Sequence, residues 1–198
     1  VGRAQRAWWA AGGDDAFRYN TELRPGDVVF DLGGYKGEFT SRMMKDGVQF
    51  HIFEINPVMI DVLNTTFKSS PMVSVHPFGL GHENIAGSSV GSGAGAGFMP
   101  DESENILIRD FVEIVDEFAI DKIELLKINI EGPEYDLIEY LDRESILQNI
   151  NELQIQAHDF EDDCFDRLLS MHRILTKTHR LVSSHTFVWD FWVRLDDK

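Results

Sequence analysis

The chain is poor in the features that commit a sequence to a disulfide framework, a membrane or a nucleic acid. It has one cysteine, Cys164, so no internal disulfide can form, and a reducing, cytoplasmic setting is expected. That cysteine lies in "EDDCFD", an acidic context unsuited to a reactive thiolate. No apolar run approaches the ~20 residues needed to cross a bilayer. The opening "VGRAQRAWWAAGGDD" lacks the apolar core and cleavage site of a signal peptide, and a start on valine is expected of a fragment or a trimmed chain. Basic residues are scarce. Against 34 Asp and Glu there are 18 Lys and Arg, a net charge of −16. Such a field repels phosphate backbones and anionic lipid, so neither nucleic acid nor a membrane is an expected partner. The histidines show no ligand spacing such as H-E-x-x-H, and no metal site is expected.

What is present is ordinary globular material: 198 residues, 43% of them hydrophobic, enough for one full core. Residues 1–26 read as an N-terminal extension, partly helical at "RAQRAWWAAG", with Trp8 and Trp9 as packing anchors. Residues 27–198 read as a single domain. Short apolar runs at 27–34, 48–56, 72–81, 123–130 and 151–160 predict strands. Helical spacing predicts helices over 38–47 (with Gly47 as C-cap), 57–67, 107–120, 133–147 and 164–178, the last with Phe165, Leu168, Leu169 and Leu175 inward. "GSSVGSGAGAG" (87–97) reads as a flexible surface loop, with a substrate lid as the alternative. Residues 180–195 alternate around a short turn, as a β-hairpin does. Repeated strand–helix units imply an α/β fold: a doubly wound, mostly parallel seven-stranded sheet with helices on both faces and a C-terminal antiparallel hairpin.

Two places carry chemistry. The first is "FDLGGYKGEF" (30–39), between the first strand and the first helix. Gly33 and Gly34 permit a sharp turn and close approach to a ligand, Gly37 lets the helix pack near the strand, and the helix start offers N–H groups to an anion. The spacing is D-x-G-x-x-x-G from Asp31. A dinucleotide fingerprint needs glycine where Leu32 stands, and no G-K-[ST] follows, so NAD and P-loop readings are disfavoured. Glu54 closes the second strand, 23 residues after Asp31, where a carboxylate can accept from ribose hydroxyls. The second place is "ELLKINIEGPEY" (124–135), a core strand that runs into Asn129, Glu131 and Glu134 around a forced turn. As fourth strand of a doubly wound sheet, beside the first, it would open into the same crevice.

"VVFDLGGYKGEFT", "FHIFEINPVMIDVLN", "LLKINIEGPEYDLIEYL" and "LQIQAHDF", in that order, resemble the motifs of the FkbM family of methyltransferases over about residues 27–160. The resemblance implies a Rossmann-like class I methyltransferase that uses S-adenosylmethionine, with O-methylation of a sugar hydroxyl or a small natural-product or glycan acceptor. It makes Asp31, Gly33, Gly34, Tyr35, Gly37, Glu54, Ile55, Asn56 and Gly79 the candidate cofactor-binding residues. Hydroxyl acceptors need a general base. Either His158 or Glu131 would take the proton, with Asn129 holding the substrate or the methionine tail. Two bland roles stand beside these: His158 bonded to backbone, and Glu131 capping the helix that starts at Pro133. The chain departs from the family pattern in having Asn129 and Gln156 where carboxylates are usual, which leaves a non-catalytic cofactor-binding or interaction domain as the alternative. The pattern gives no oligomeric state.

Overall fold

The computed structural model describes residues 2–90, 97–100 and 106–195. The frame is one seven-stranded sheet. In chain order its strands are β1 (Val28–Leu32), β2 (Gln49–Phe53), β3 (Val73–His76), β8 (Ile123–Ile128), β9 (Ile150–Ile155), β10 (His179–His185) and β11 (Trp189–Arg194), and in space they run β10-β11-β9-β8-β1-β2-β3. Five strands are parallel, while β11 is antiparallel to both β9 and β10. The fold class expected from the sequence is therefore the one observed. β1 and β8 are central strands closed off on both faces, and so read as continuous apolar runs.

Alternation along the strands sorts the core into two faces. Phe30, Leu32, Leu126, Ile128 and Leu153 meet α4 (Phe111–Glu117), α5 (Glu134–Arg143) and α6 (Cys164–Leu175). Val29, Phe50 and Leu125 meet α2 (Glu38–Met43) and Leu23, and Ile52 meets α3 (Pro57–Thr66). The N-terminal helix α1 (Arg3–Ala10) lies on the hairpin strands: Trp8 is buried and stacks on Phe191, while Trp9 is exposed, so only one of the two anchors. The winding reverses between β1 and β8, which leaves a crevice at the C-terminal ends of β1, β2 and β8.

A second sheet escapes the sequence reading. It holds β4 (Gly79–Gly81), β5 (Ile85–Val90), β6 (Gly97–Pro100) and β7 (Ile106–Asp110) in the order β4-β7-β5-β6. Three expectations fail on it. The strand predicted over 72–81 breaks after His76, and its second half joins β7 in the other sheet. The helix predicted over 107–120 begins only at Phe111; β7 precedes it, and the Asp110 carboxylate caps α4 by accepting from the Val112 and Glu113 N–H groups. The loop predicted over 87–97 is strand at both ends, Val90 pairing with Gly97, and its residues 91–96 lie outside the described residues.

Two smaller corrections concern helices. α2 stops at Met43, and Gly47 instead makes a left-handed turn (φ 78°) whose carbonyl accepts from the Gly26 N–H. On α6, Leu168, Met171 and Leu175 are buried while Phe165 and Leu169 are exposed, a stripe rotated from the expected one. Among the described residues no helix is long and apolar enough to cross a membrane.

Candidate functional site

The glycine turn is held from below by a buried ion pair. Parallel register sets Asp31 beside Lys127, whose Nζ lies 2.8 Å from Asp31 Oδ1. The same ammonium donates to the carbonyls of Leu32 (3.1 Å) and Gly33 (2.7 Å), and Thr40 Oγ1 on α2 donates to Asp31 Oδ2 (2.9 Å). One buried cation therefore joins the end of β1, the turn and β8. Asp31 faces this network and is not part of the cavity wall described below. The glycines answer to packing. A Cβ on Gly33 (φ 76°) would lie 1.9 Å from the backbone oxygen of Asn129, and one on Gly34 2.2 Å from Ile52 Cγ2. On Gly37 it would strike the Phe67 ring at 2.6 Å, so that glycine admits the end of α3 rather than the strand expected from the sequence. The expected free amides are also engaged. The N–H groups of Gly33 and Gly34 donate to Phe53 O, and that of Tyr35 to Glu54.

Above the turn lies a cavity of about 350 Å³, within the range of small-molecule sites. The strand ends supply Gly33, Tyr35, Glu54, Ile55, Asn129 and Glu131, and the second sheet supplies Gly79, Leu80, Ile85 and Ile108 as the opposite, largely apolar wall. Glu54 is buried. Its Oε1 accepts from the Ile55 and Asn56 N–H groups (2.9 Å each), and its Oε2 accepts from the Tyr35 N–H at 2.8 Å. A carboxylate offers about four acceptor positions. Oε1 is filled, and Oε2 keeps one position for a ligand. Asn56 also lines the cavity, but its side-chain oxygen caps α3, accepting from the Val58 and Met59 N–H groups. Asn129 Oδ1 is buried and has no hydrogen-bond partner among the described residues.

At the exit of β8 the chain turns through Glu131 (φ 61°) and Gly132 (φ 125°) into α5. The organising side chain here is Glu134, which is fully buried. Its Oε2 accepts from the Gly132 N–H (2.8 Å); its Oε1 accepts from the His158 backbone N–H (2.7 Å) and faces His158 Nδ1 at 2.8 Å. An acceptor-only partner at Nδ1 makes that nitrogen the protonated one and leaves Nε2 as the basic site. Nε2 points toward Glu131 Oε2, 3.5 Å away. Burial pulls the His158 pKa down, but the hydrogen bond and charge of Glu134, with the charge of Glu131, outweigh it and raise the net value above that of a free histidine. For Glu131, burial raises the carboxyl pKa, Glu134 adds to the rise, and His158 opposes it. His158 and Glu131 belong to a second cavity of about 240 Å³, which also holds Phe160, Glu161 and Arg167.

Of the residues expected from the sequence, Gly33, Tyr35, Glu54, Ile55, Asn56, Gly79, Asn129 and Glu131 thus share the first cavity. His158 stands in the adjoining one, and Asp31, Gly34 and Gly37 sit in the framework. Glu131 does not cap α5; the Gly132 N–H goes to Glu134. Sequence reasoning missed Lys127, and it named Glu134 at the turn without its role in orienting His158. A lysine inside the apolar run "LLKIN" was the available signal for the first. Among the described residues no group of three or more His, Cys, Asp or Glu could hold a metal ion.

No protein-family model and no curated protein matches the chain. Solved structures do. A Streptococcus mutans protein in complex with SAH aligns with TM-score 0.57 and 10% identity, over 98% of this chain and 99% of that one. An rRNA methylase from Streptococcus thermophilus gives 0.52 and 11%, over 93% and 95%. Aeropyrum pernix fibrillarin with natively bound S-adenosyl-L-methionine gives 0.51 and 11%, over 93% and 74%. At such identities the likeness shows the fold alone, a Rossmann-like one.

Proposed function

We propose that this chain is an S-adenosylmethionine-dependent methyltransferase acting on a hydroxyl of a sugar, glycan or small natural-product acceptor. The observation that carries the reading is that Glu54 and Asn129, each with an unfilled acceptor, both line one cavity at the switch point of the sheet. The residues fit the cofactor. Glu54 Oε2 would accept from a ribose hydroxyl, and Asn129 Oδ1 from the ammonium of the amino-acid tail. Ile55, Leu80 and Ile108 would pack on the purine. When bound, S-adenosylmethionine supplies a methyl group on a positively charged sulfur, already activated for transfer. The protein's part is to align the acceptor and remove its proton. His158 Nε2 takes that proton, Glu134 keeps the opposite ring nitrogen protonated, and Glu131 faces the imidazolium that results. The surplus of acidic residues supports a neutral small acceptor over nucleic acid, and the free Cys164 supports a cytoplasmic setting.

Calorimetry tests the reading. S-adenosylmethionine is expected to bind, and Glu54→Ala to weaken it by roughly 10- to 150-fold, the worth of a charge-assisted hydrogen bond. Failure of S-adenosylmethionine to bind, or tighter binding of NAD, overturns the proposal. Asn129 favours a second reading, cofactor binding without turnover, since an amide cannot serve as a base. Affinity for S-adenosylmethionine with no methylation of any hydroxyl acceptor would identify it.

A further inference from the structure

We infer that the second cavity is the acceptor site, and that it selects an uncharged or amine-bearing polyhydroxylated ring while excluding phosphorylated ones. This rests on the methyltransferase reading and adds the place and the class of the acceptor. The two cavities adjoin, with Glu131, Pro133 and Asp136 in the walls of both. The seam between them is where His158 Nε2 faces Glu131. A hydroxyl presented to Nε2 from the second cavity therefore lies beside Glu131, a wall residue of the first.

The walls set the class. Glu131, Asp136 and Glu161 line the second cavity against a single guanidinium, Arg167. That guanidinium is already engaged. It donates to Asp136 Oδ1 (2.5 Å) and Glu161 Oε2 (2.9 Å), and lies 4.8 Å above the Tyr135 ring. A phosphate entering here meets surplus carboxylate, and both cations it could reach, Arg167 and a protonated His158, already face carboxylates. Hydroxyl and ammonium donors meet acceptors instead. Phe160 supplies the remaining element. The residue is 63% exposed and its ring stands 4.9 Å from the His158 ring, so an apolar face is offered beside the basic nitrogen. A sugar ring has both parts needed: C–H groups to cover the phenyl face and hydroxyls to reach the carboxylates. A lone exposed aromatic is ordinary on protein surfaces; this one lines a cavity next to a carboxylate-oriented histidine.

The test is ligand-observed NMR on the whole chain with SAH present. The probes are methyl glycosides of common hexoses, the matching 2-amino sugars and the matching 6-phosphates. At least one neutral or amine-bearing member is expected to bind. Its phosphorylated counterpart is expected to bind about tenfold more weakly or worse, since like charges face each other. Phe160→Ala should remove the binding, and Glu161→Lys should narrow the gap between phosphorylated and neutral members. The inference is overturned if no neutral or amine-bearing member binds, if the 6-phosphates bind as well, or if Phe160→Ala changes nothing. Calorimetry with S-adenosylmethionine on the unsubstituted protein separates the two failures. If the cofactor does not bind, the methyltransferase reading falls. If it binds while the sugars ignore Phe160, only the acceptor cavity falls.

Discussion

Replacing Glu134 by glutamine changes one atom and breaks a three-way arrangement. The carboxylate faces three N–H groups: Gly132 N–H at Oε2, and both the backbone N–H and Nδ1 of His158 at Oε1. A glutamine keeps one oxygen. If that oxygen faces His158, the amide NH₂ opposes the Gly132 N–H. If it faces Gly132, the NH₂ opposes the His158 backbone N–H and donates to Nδ1, which drives the proton to Nε2 and removes the base. Either way a buried donor is left unsatisfied, at a cost of about 1–3 kcal/mol in stability. The imidazolium also loses a charged partner. Charged hydrogen bonds are worth about 1.5–3 kcal/mol against about 0.5–1.5 for neutral ones, so roughly 1–2 kcal/mol of its support goes. His158 should therefore titrate lower in Glu134→Gln than in the unsubstituted protein, because burial is no longer outweighed. The sign for stability follows. A histidine raised in the folded state contributes stability that is full below its unfolded value of 6.5 and is lost as pH rises through the folded value. That contribution should shrink in the variant. If His158 is the base, the acidic limb of the rate profile should also move to lower pH. Nitrogen-15 NMR of the imidazole reads protonation and tautomer directly, and the apparent value belongs to the His158–Glu131 pair. An unchanged titration and an unchanged Nδ1–H tautomer would refute the assignment of Glu134 as the positioning residue.

Lys127→Met leaves Asp31 buried without its cation and should cost about 3–5 kcal/mol in urea unfolding. Adding Asp31→Asn should recover part of that loss, and no recovery would mean the pair is not coupled. Gly33→Ala should cost about 2 kcal/mol or more through its left-handed backbone and the Asn129 carbonyl. A loss of cofactor affinity with an unaltered melt would instead make Gly33 a ligand contact. On the β2–β3 side, burial and then His51 lower the His76 pKa to about 4. A histidine depressed in this way contributes stability above its unfolded value of 6.5 that is lost as pH falls toward 4. His76→Phe should therefore flatten the acid side of the stability profile, and an unchanged acid midpoint would place the acid sensitivity elsewhere.

The main sheet was legible because its signals are local. Apolar runs at β1, β2, β8 and β9, glycines at the turn and proline at the start of α3 each speak for themselves. The second sheet was not legible, because nothing local defines it. β4 is three residues, Gly79–Gly81, and becomes a strand only by pairing with Ile108 to Asp110. β7 has apolar residues at Ile106, Leu107 and Ile108, and they run into the helical pattern of α4 without a break. The pattern alone could not place the boundary at Asp110. Gly79, Leu80, Gly81, Ile85 and Ile108 of this sheet form one wall of the cavity, so the shape of the site was hidden even where its polar residues were named. The role of Glu134 was hidden for the same reason. Its place in the first turn of α5 gave it a sufficient local role beside the helix dipole, while its partner lies 24 residues on, past β9.

The glycine turn shows why a motif can point to the right place for an incomplete reason. Read as sequence, Gly33 and Gly34 make room for a ligand. In the fold, the atoms nearest to the missing Cβ positions are Asn129 O and Ile52 Cγ2, both from the protein itself. The amides of the turn are likewise taken by Phe53 O and Glu54. Close packing of the turn against the end of β8 and against β2 would demand glycines here with no ligand at all. What the sheet does not demand is a buried carboxylate with one acceptor position unfilled, or an amide oxygen buried without a partner. Leaving an acceptor position buried and unfilled costs free energy, and the three N–H groups that meet Glu54 fill neither its last Oε2 position nor Asn129 Oδ1. Glu54 and Asn129 are thus the stronger evidence for a polar ligand. Filling Asn129's place with leucine separates the two accounts: if Asn129→Leu stabilises the chain against urea while weakening S-adenosylmethionine, the side chain is there for the ligand. If it destabilises the chain and leaves the affinity unchanged, the oxygen serves the fold.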